Sequence, residues 1–277
     1  MPKALANGVS INYEERGSGF PMVLMHGLHG SHRNWNAQVD FFSDKYRVIT
    51  TDSRGLGKSE APPEPEKYSQ DILVEDLHQL LISLGIQQAY IGGLSMGGNV
   101  ALNFAIQHPE MTKAFISADT GSGSDDPEGF KQRMEKEAGR VEELGLAALK
   151  DEFLRRGNWA FIYEAGMEVY EPIERDFVNN SPVGIANTMR QVQGSRPTIY
   201  SLEAKLKAIQ VPGLIIVGEH DQPCIGASSF MHDKIPNSRL VTIPGAGHNT
   251  HMETPLAFNQ AVLDFLKLVE GQRAKRR

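Results

Sequence analysis

Apolar and polar positions repeat with two different periods along this chain. Residues 9–13 alternate one by one, which predicts a half-buried strand at the edge of a sheet. Residues 21–25 are continuously apolar, as in a strand that is buried on both faces. From Ser69 to Gly85 the apolar residues recur at helical spacing. Further strands are predicted at 47–51, 89–91, 114–117, 213–217 and 239–243, and a last helix at 255–269.

Alternating strands and helices predict a mostly parallel sheet with helices on both faces. The alternation stops near residue 121, where helical patterns rich in charge and in large apolar groups begin, and it returns after residue 202. We therefore predict a core domain formed by residues 1–120 and 203–277, with a helical cap inserted at 121–202. Functional residues are expected in loops at the carboxyl ends of the strands.

Composition narrows the class of protein. The 277 residues are 40% hydrophobic and 22% charged, which suits one α/β domain with an insertion. The net charge of −6 argues against a nucleic-acid partner. No apolar run is long enough for a membrane span, and residues 1–8 lack the apolar core of a signal peptide, so we expect a cytoplasmic protein. The single cysteine, Cys224, excludes an internal disulfide and a cysteine-rich metal site.

A candidate nucleophile follows the strand at 89–91. Gly93-Leu94-Ser95-Met96-Gly97 matches G-x-S-x-G, with a predicted strand before it and a predicted helix after it. A sharp strand-to-helix turn exposes the serine hydroxyl, and the glycines leave room for the crossing chains. The alternative interpretation is a glycine-rich turn with an incidental serine.

A serine hydroxyl needs a general base near neutral pH, and histidine has a suitable pKa. His248 follows the last predicted strand among small residues, and His251 is the second choice. An acid must then hold the imidazole. Asp221 follows the strand at 213–217, and Glu219 and Asp119 are rival carboxylates.

Attack on a carbonyl also needs two donors for the oxyanion. We expect these to be the backbone N–H of Met96, after the nucleophile, and that of Leu28, in the glycine-containing loop after residues 21–25. His29 of this loop and four residues of the predicted cap are candidates for the substrate pocket. The four cap residues are Trp159, Phe161, Tyr163 and Met167.

No metal or cofactor is expected. Histidines three residues apart, such as His26 and His29, could suit a metal on a helix, but they stand in predicted loops and the H-E-x-x-H pattern is missing. Cys224 lacks the strand-to-helix turn that an exposed nucleophile would need.

Four motifs together resemble those of the α/β-hydrolase superfamily, in its small cap-bearing esterase, lactonase and carbon–carbon hydrolase branch. They are His26-Gly27 with Gly30, Asp52-x-Arg54-Gly55-x-Gly57-x-Ser59, Gly93-x-Ser95-x-Gly97-Gly98, and Gly218-x-x-Asp221 followed by Gly247-His248. The resemblance implies an eight-stranded sheet, a Ser95–His248–Asp221 triad, an oxyanion hole at Leu28 and Met96, and a cap over the pocket.

The same resemblance leaves the substrate open. The serine elbow is similar to that of enol-lactone hydrolases, whereas carbon–carbon hydrolases usually carry Asn where Leu94 stands. We predict a serine hydrolase that cleaves a small, fairly apolar ester or lactone through an acyl-enzyme. The alternatives are carbon–carbon cleavage of a dienoic diketone and a non-catalytic ligand receptor on the same fold. The oligomeric state stays open.

Overall fold

The computed structural model describes residues 2–155, 159–164, 166 and 170–274, and its centre is one eight-stranded sheet. The strands are β1 (Lys3–Ala6), β2 (Val9–Arg16), β3 (Phe20–Met25), β4 (Tyr46–Thr51), β5 (Ala89–Leu94), β6 (Thr112–Ala118), β7 (Gly213–Gly218) and β8 (Ser238–Ile243). Their order across the sheet is β1-β2-β4-β3-β5-β6-β7-β8. The β1–β2 and β2–β4 pairs are antiparallel, and the other neighbours are parallel.

The predicted eight-stranded, mostly parallel sheet is therefore confirmed, with one correction at its edge. The strand over residues 9–13 was expected at the edge, but β2 lies between β1 and β4. The edge is β1, a four-residue strand with two exposed side chains and one buried side chain, so it carries little hydrophobic pattern. A strand this short gives no periodic signal that a sequence could reveal.

Twelve α-helices connect or flank the strands in the described part of the chain. They are α1 (Asn36–Phe42), α2 (Gln70–Ser83), α3 (Met96–Gln107), α4 (Pro127–Leu144), α5 (Leu146–Arg155), α6 (Ala160–Glu164), α7 (Tyr170–Val178), α8 (Pro182–Asn187), α9 (Glu203–Ala208), α10 (Gln222–Lys234), α11 (Thr250–Glu253) and α12 (Pro255–Ala274). Short 3₁₀ turns occupy His32–Trp35, Pro65–Lys67 and Ile199–Leu202, and a π-helical turn occupies Thr188–Gln193.

Both faces of the sheet are covered because successive side chains of a strand point to opposite sides. In β3, Met22 and Leu24 belong to the cluster that includes α1 and α12. Their neighbours Val23 and Met25 belong to the cluster that includes α2 and α3. All four side chains are at most 4% exposed. Burying each contributes about 1.5–3 kcal/mol, which holds the strand between its two helical layers.

Between β6 and β7 the chain leaves the sheet for the segment that we call the helical insertion, residues 121–202. Its described elements are α4 to α8, the π-helical turn and the 3₁₀ turn before α9. Buried side chains of the insertion, such as Val141, Phe177 and Met189, pack in the same cluster as Val100 and Phe104 of α3. The insertion is thereby fixed against the core. In the ranges that the structure describes, no helix has both the length and the apolar character required to cross a membrane.

Candidate active site

Ser95 stands in the tight turn between β5 and α3, with a positive φ of 54° and a ψ of −108°. A serine rarely adopts such angles, and holding them costs on the order of 1–3 kcal/mol. The Ser95 N–H donates to the Ala118 carbonyl of β6 at 2.8 Å, which anchors the turn. Gly97 lets the turn approach β3, because a Cβ at that position would lie 2.2 Å from the Met25 carbonyl oxygen. Contacts with β6 and β3 therefore hold the Ser95 turn in its strained conformation.

Ser95 is also the N-cap residue immediately before α3, at the helix end where the dipole places partial positive charge. Its side chain does not cap the helix. Within the described residues, the Ser95 hydroxyl makes no hydrogen bond at all, so it is available to a ligand. Developing negative charge on this oxygen would be stabilised by the adjacent helix end.

His248 and Asp221 form a buried hydrogen-bonded pair at the ends of β8 and β7. The His248 Nδ1–H donates to Asp221 Oδ2 at 2.9 Å, and the two residues are 8% and 4% exposed. Burial alone would lower the pKa of His248, but the charge and hydrogen bond of the Asp221 carboxylate outweigh burial and raise this pKa well above 6.5. The bond through Nδ1 leaves Nε2 as the ring nitrogen that can exchange a proton with a nucleophile.

The loop that carries His248 is held by a carboxylate that the sequence analysis did not single out. Glu253 accepts hydrogen bonds from the backbone N–H groups of Gly247 and Asn249, one on each side of the histidine. Glu253 is 6% exposed. These two bonds fix the backbone on both sides of His248 and therefore the position of its ring.

The rival carboxylates take other roles. Asp119 is fully buried and accepts from the Gly218 N–H at 2.9 Å and from the Thr250 hydroxyl at 2.6 Å, so it ties β6 to the β7 and β8 loops. Burial and the nearby Asp221 carboxylate raise the pKa of Asp119 to about 8. Glu219 is exposed and binds a backbone N–H in a nearby turn. Of the three carboxylates, Asp221 is the one hydrogen-bonded to His248.

His251, the second choice for the base, lies in a different environment. It is fully buried beside the rings of Trp35 and Phe258, at centroid distances of 4.3 and 6.0 Å. Neither of its ring nitrogens has a hydrogen-bond partner in the described part of the chain. Burial, with a smaller contribution from His248, lowers the pKa of His251 to about 3. With so low a pKa this imidazole is a very weak base, and the aromatic rings around it separate it from Ser95, so it is not suited to accept the Ser95 proton.

Ser95 and His248 line one cavity of about 340 Å³, between the strand ends and the helical insertion. No hydrogen bond joins the Ser95 hydroxyl to the imidazole among the described residues, so the two groups face a shared space. The apolar lining residues are Leu28, Leu94, Phe130, Met134, Phe153, Trp159 and Pro223. A cavity of this size fits a small organic molecule.

Leu28 and Met96 carry the backbone N–H groups that the sequence predicts as oxyanion donors. Leu28 lines the cavity, and Gly27 before it lies so close that a Cβ there would be 3.4 Å from Ser95 Cβ. Met96 is the first residue of α3, whose first N–H groups have no partner within the helix. In the described ranges, neither the Leu28 N–H nor the Met96 N–H has a backbone or side-chain acceptor. Both groups are therefore free to donate to a ligand.

The two histidines of the loop after β3, His26 and His29, differ in role: His29 forms part of the cavity wall, and His26 stabilises the loop. His29 lines the cavity with a φ of 68°, packed 4.9 Å from the Phe153 ring and 5.3 Å from the Phe177 ring. Burial lowers the pKa of His29 to about 3, so this ring is neutral. His26 donates from Nδ1 to the Gly27 carbonyl and accepts a backbone N–H at Nε2, which braces the loop.

The predicted pocket residues of the insertion do not all line the cavity. Trp159 lines the cavity and is 4% exposed. Phe161 and Tyr163 do not line it and are 38% and 37% exposed, because α6 turns Ile162 into the core instead. Met167 lies outside the described residues.

Sequence reasoning missed five polar residues of the cavity wall, which are Ser122, Arg133, Glu137, Gln193 and Asn249. Arg133 and Glu137 come from α4, and Gln193 ends the π-helical turn. Charged helical residues are usually solvated, so no pattern in the sequence distinguishes these from their neighbours. Arg133, Glu137 and Gln193 reach the cavity only because the insertion packs over the strand ends.

Two described clusters bring three metal-binding side chains together: Asp221, Cys224 and His248, and Glu75, His78 and His108. In the first, the carboxylate and imidazole already bind each other, and burial raises the pKa of the Cys224 thiol to about 11, which keeps it protonated. The second joins α2 to the end of α3, where the two imidazoles stack at 4.1 Å. It does not line the cavity.

The strand order and the sharp turn after β5 define an α/β fold whose site lies at the carboxyl ends of parallel strands. A sequence model of the alpha/beta hydrolase fold matches residues 21–255, and the chain belongs to this family.

Similar proteins support hydrolase activity on this fold. The chain is 30% identical over 265 residues to 3-oxoadipate enol-lactonase 2 of Acinetobacter baylyi, covering 95% of each chain. It is 29% identical over 273 residues to 2-hydroxymuconate semialdehyde hydrolase of Pseudomonas sp. strain CF600, covering 95% of this chain and 92% of the relative. The solved structure of a thermophilic esterase from Thermogutta terrifontis is 30% identical, with a TM-score of 0.86 over 97% of this chain and 98% of the esterase.

Proposed function

We propose that this chain is a serine hydrolase that cleaves a small, fairly apolar carboxylic ester or lactone through an acyl-enzyme. One observation carries the proposal. His248, which is hydrogen-bonded to Asp221 at 2.9 Å, lines the cavity that also contains the strained Ser95. Nucleophile, acid and base (Ser95, Asp221 and His248) follow one another along the chain in the order used by this fold.

In the first step, His248 Nε2 accepts the Ser95 proton while the serine oxygen attacks the substrate carbonyl. The carbonyl oxygen becomes an oxyanion, and the N–H groups of Leu28 and Met96 are the donors that would stabilise it. The Asp221 carboxylate stabilises the imidazolium that forms.

The tetrahedral intermediate collapses when the imidazolium gives its proton to the leaving alkoxide, which leaves an acyl group on Ser95. A water molecule then attacks the acyl carbonyl as His248 accepts its proton. Return of that proton to Ser95 releases the acid and restores the enzyme. In a lactone, the leaving alkoxide stays attached to the acyl group through the opened ring, so the second step releases a single hydroxy acid.

The cavity suggests the shape of the substrate. Apolar side chains from the core and from the insertion surround Ser95, including Leu94, Phe153 and Trp159. We propose that the helical insertion acts as a cap that excludes bulk water from the acyl group. The cytoplasmic location stays a prediction from the sequence.

The experiment is labelling with a fluorophosphonate, followed by mapping of the adduct and by assay of an aryl ester. The wild type should carry the adduct on Ser95, and Ser95→Ala should lose ester turnover by about 10⁴- to 10⁶-fold. The matched control is Ser83→Ala, at an exposed serine of α2, which should retain wild-type turnover. Substantial ester hydrolysis by folded Ser95→Ala would overturn the proposal. Ligand binding without turnover in the wild type would favour the receptor instead.

A second candidate is carbon–carbon cleavage by the same residues, which the similarity to 2-hydroxymuconate semialdehyde hydrolase favours. Leu94 stands where such hydrolases usually carry Asn, as noted from the sequence. A panel that contains an aryl ester, a lactone and a dienoic diketone separates the two. A kcat/KM for the diketone at least as high as for the esters and lactones would favour this candidate.

A further inference from the structure

The helical insertion places one polar donor in the cavity wall that has no acceptor. Gln193 lines the cavity beside Phe130 and Met134 and is 5% exposed. Its amide nitrogen, Nε2, has no hydrogen-bond partner in the described part of the chain. A buried donor without a partner is costly, so a group that binds in the cavity is the natural acceptor.

Arg196 fixes which way the Gln193 amide points. The Arg196 Nη1 donates to Gln193 Oε1 at 2.6 Å, and its Nη2 donates to the Ser122 carbonyl at 2.6 Å. A guanidinium group can only donate, so the oxygen of Gln193 must face Arg196 and its NH₂ must point away from Arg196. Gln193 ends a π-helical turn, an irregularity that is frequent at functional sites.

The charge around this wall is predominantly positive. Arg196 has no carboxylate within ion-pair distance among the described residues, and its guanidinium lies 5.6 Å from the centre of the Phe130 ring. The Arg133 guanidinium lies 5.3 Å from the same ring, and Arg133 itself lines the cavity. Glu137 is the acidic residue of the lining, and burial raises its pKa. Two positively charged guanidinium groups therefore lie near this wall, together with one carboxyl group that is harder to ionise than usual.

We propose that the substrate carries a carboxylate, which accepts hydrogen bonds from Gln193 Nε2 and is attracted by Arg196 and Arg133. The inference rests on the proposed function, because Ser95 defines the reacting end of the cavity. The substrate would then be an ester or lactone whose acyl part is apolar near Ser95 and anionic at its other end. Gln193 acts here as a specificity-determining residue that takes no part in bond cleavage.

The test compares two substrates of similar shape: a nitrophenyl monoester of a short dicarboxylic acid, and the nitrophenyl ester in which an isopropyl group, which is neutral and cannot accept a hydrogen bond, replaces the free carboxylate. Gln193→Met removes the amide donor at similar volume, and Gln191→Met in the same turn is the matched control. Gln193→Met should lower kcat/KM for the carboxylate substrate by about 10- to 100-fold, because a hydrogen bond to a charged group is lost. The loss should fall mainly on KM, and the neutral substrate should change by less than about threefold.

Arg133→Met, at an exposed position of α4, provides a second variant if Gln193→Met does not fold. It should reduce the preference for the carboxylate by a few fold at low salt and by less at high salt. Equal kcat/KM for the two substrates in the wild type, or an equal loss for both in Gln193→Met, would overturn the inference. Fluorophosphonate labelling of Ser95 reports the catalytic residues independently. A labelled, active enzyme without carboxylate preference would refute this inference while leaving the proposed function intact.

Discussion

The buried neutral histidine next to the catalytic loop should make the fold sensitive to acid, and His251→Leu should remove part of that sensitivity. His251 is fully buried against Trp35 and Phe258 and has a pKa of about 3, compared with 6.5 for an ordinary histidine. Leucine fills a similar volume and cannot bind a proton. The variant therefore tests one titration without adding a charge.

The magnitude follows from the two pKa values. Between about pH 6.5 and pH 3 the unfolded chain binds a proton at His251 and the folded chain does not, so stability falls as the pH falls. Each pH unit below 6.5 costs about 1.4 kcal/mol for one such group. Going from near pH 7.5 to near pH 5, His251 should thus cost the wild type about 2 kcal/mol of unfolding free energy that the variant does not lose.

The assay is urea unfolding followed by far-ultraviolet circular dichroism, at both pH values, for the wild type and His251→Leu. Lost contacts with Trp35 would destabilise the variant equally at both pH values, so they cancel in the difference between pH values. His232→Leu, at an exposed histidine of α10, should lose as much stability in acid as the wild type. If His251→Leu also loses as much as the wild type, to within about 0.5 kcal/mol, the reasoning from burial is refuted.

Two further predictions concern the catalytic pair and the serine turn. Because Asp221 raises the pKa of His248 well above 6.5, and only the neutral imidazole can accept the serine proton, kcat/KM should rise with pH and reach half its maximum above pH 6.5. Asp221→Asn should move that midpoint to lower pH and reduce kcat by about 10⁴-fold; a pH–rate profile that does not change between wild type and variant would contradict the pairing. Gly97→Ala should lower the free energy of unfolding by roughly 1–3 kcal/mol, because the new Cβ would overlap the Met25 carbonyl. Gly139→Ala, in α4 with nothing near the added Cβ, should raise it by about 0.5–1 kcal/mol, as measured by urea unfolding.

The mostly parallel sheet and the order of the chemical groups along the chain could both be predicted from the sequence. Strand and helix patterns repeat over short distances, so the alternation of elements could be predicted from local periodicity. The carboxyl ends of parallel strands lie at one edge of a sheet. Because Ser95, Asp221 and His248 each follow a predicted strand, the sequence predicted that they lie in neighbouring loops. What the pattern could not predict was the short edge strand β1, which carries almost no periodic signal.

The side chains that form the cavity could not be predicted, because they come together through packing between distant parts of the chain. His248 and His251 are three residues apart, yet one lines the cavity and the other is enclosed by aromatic rings. Gln193 belongs to no motif, and its amide becomes a donor for a ligand only because a distant turn of the insertion packs over the strand ends. The physical reason is that periodicity reports whether a side chain is buried, whereas a cavity wall depends on how separate elements pack against each other.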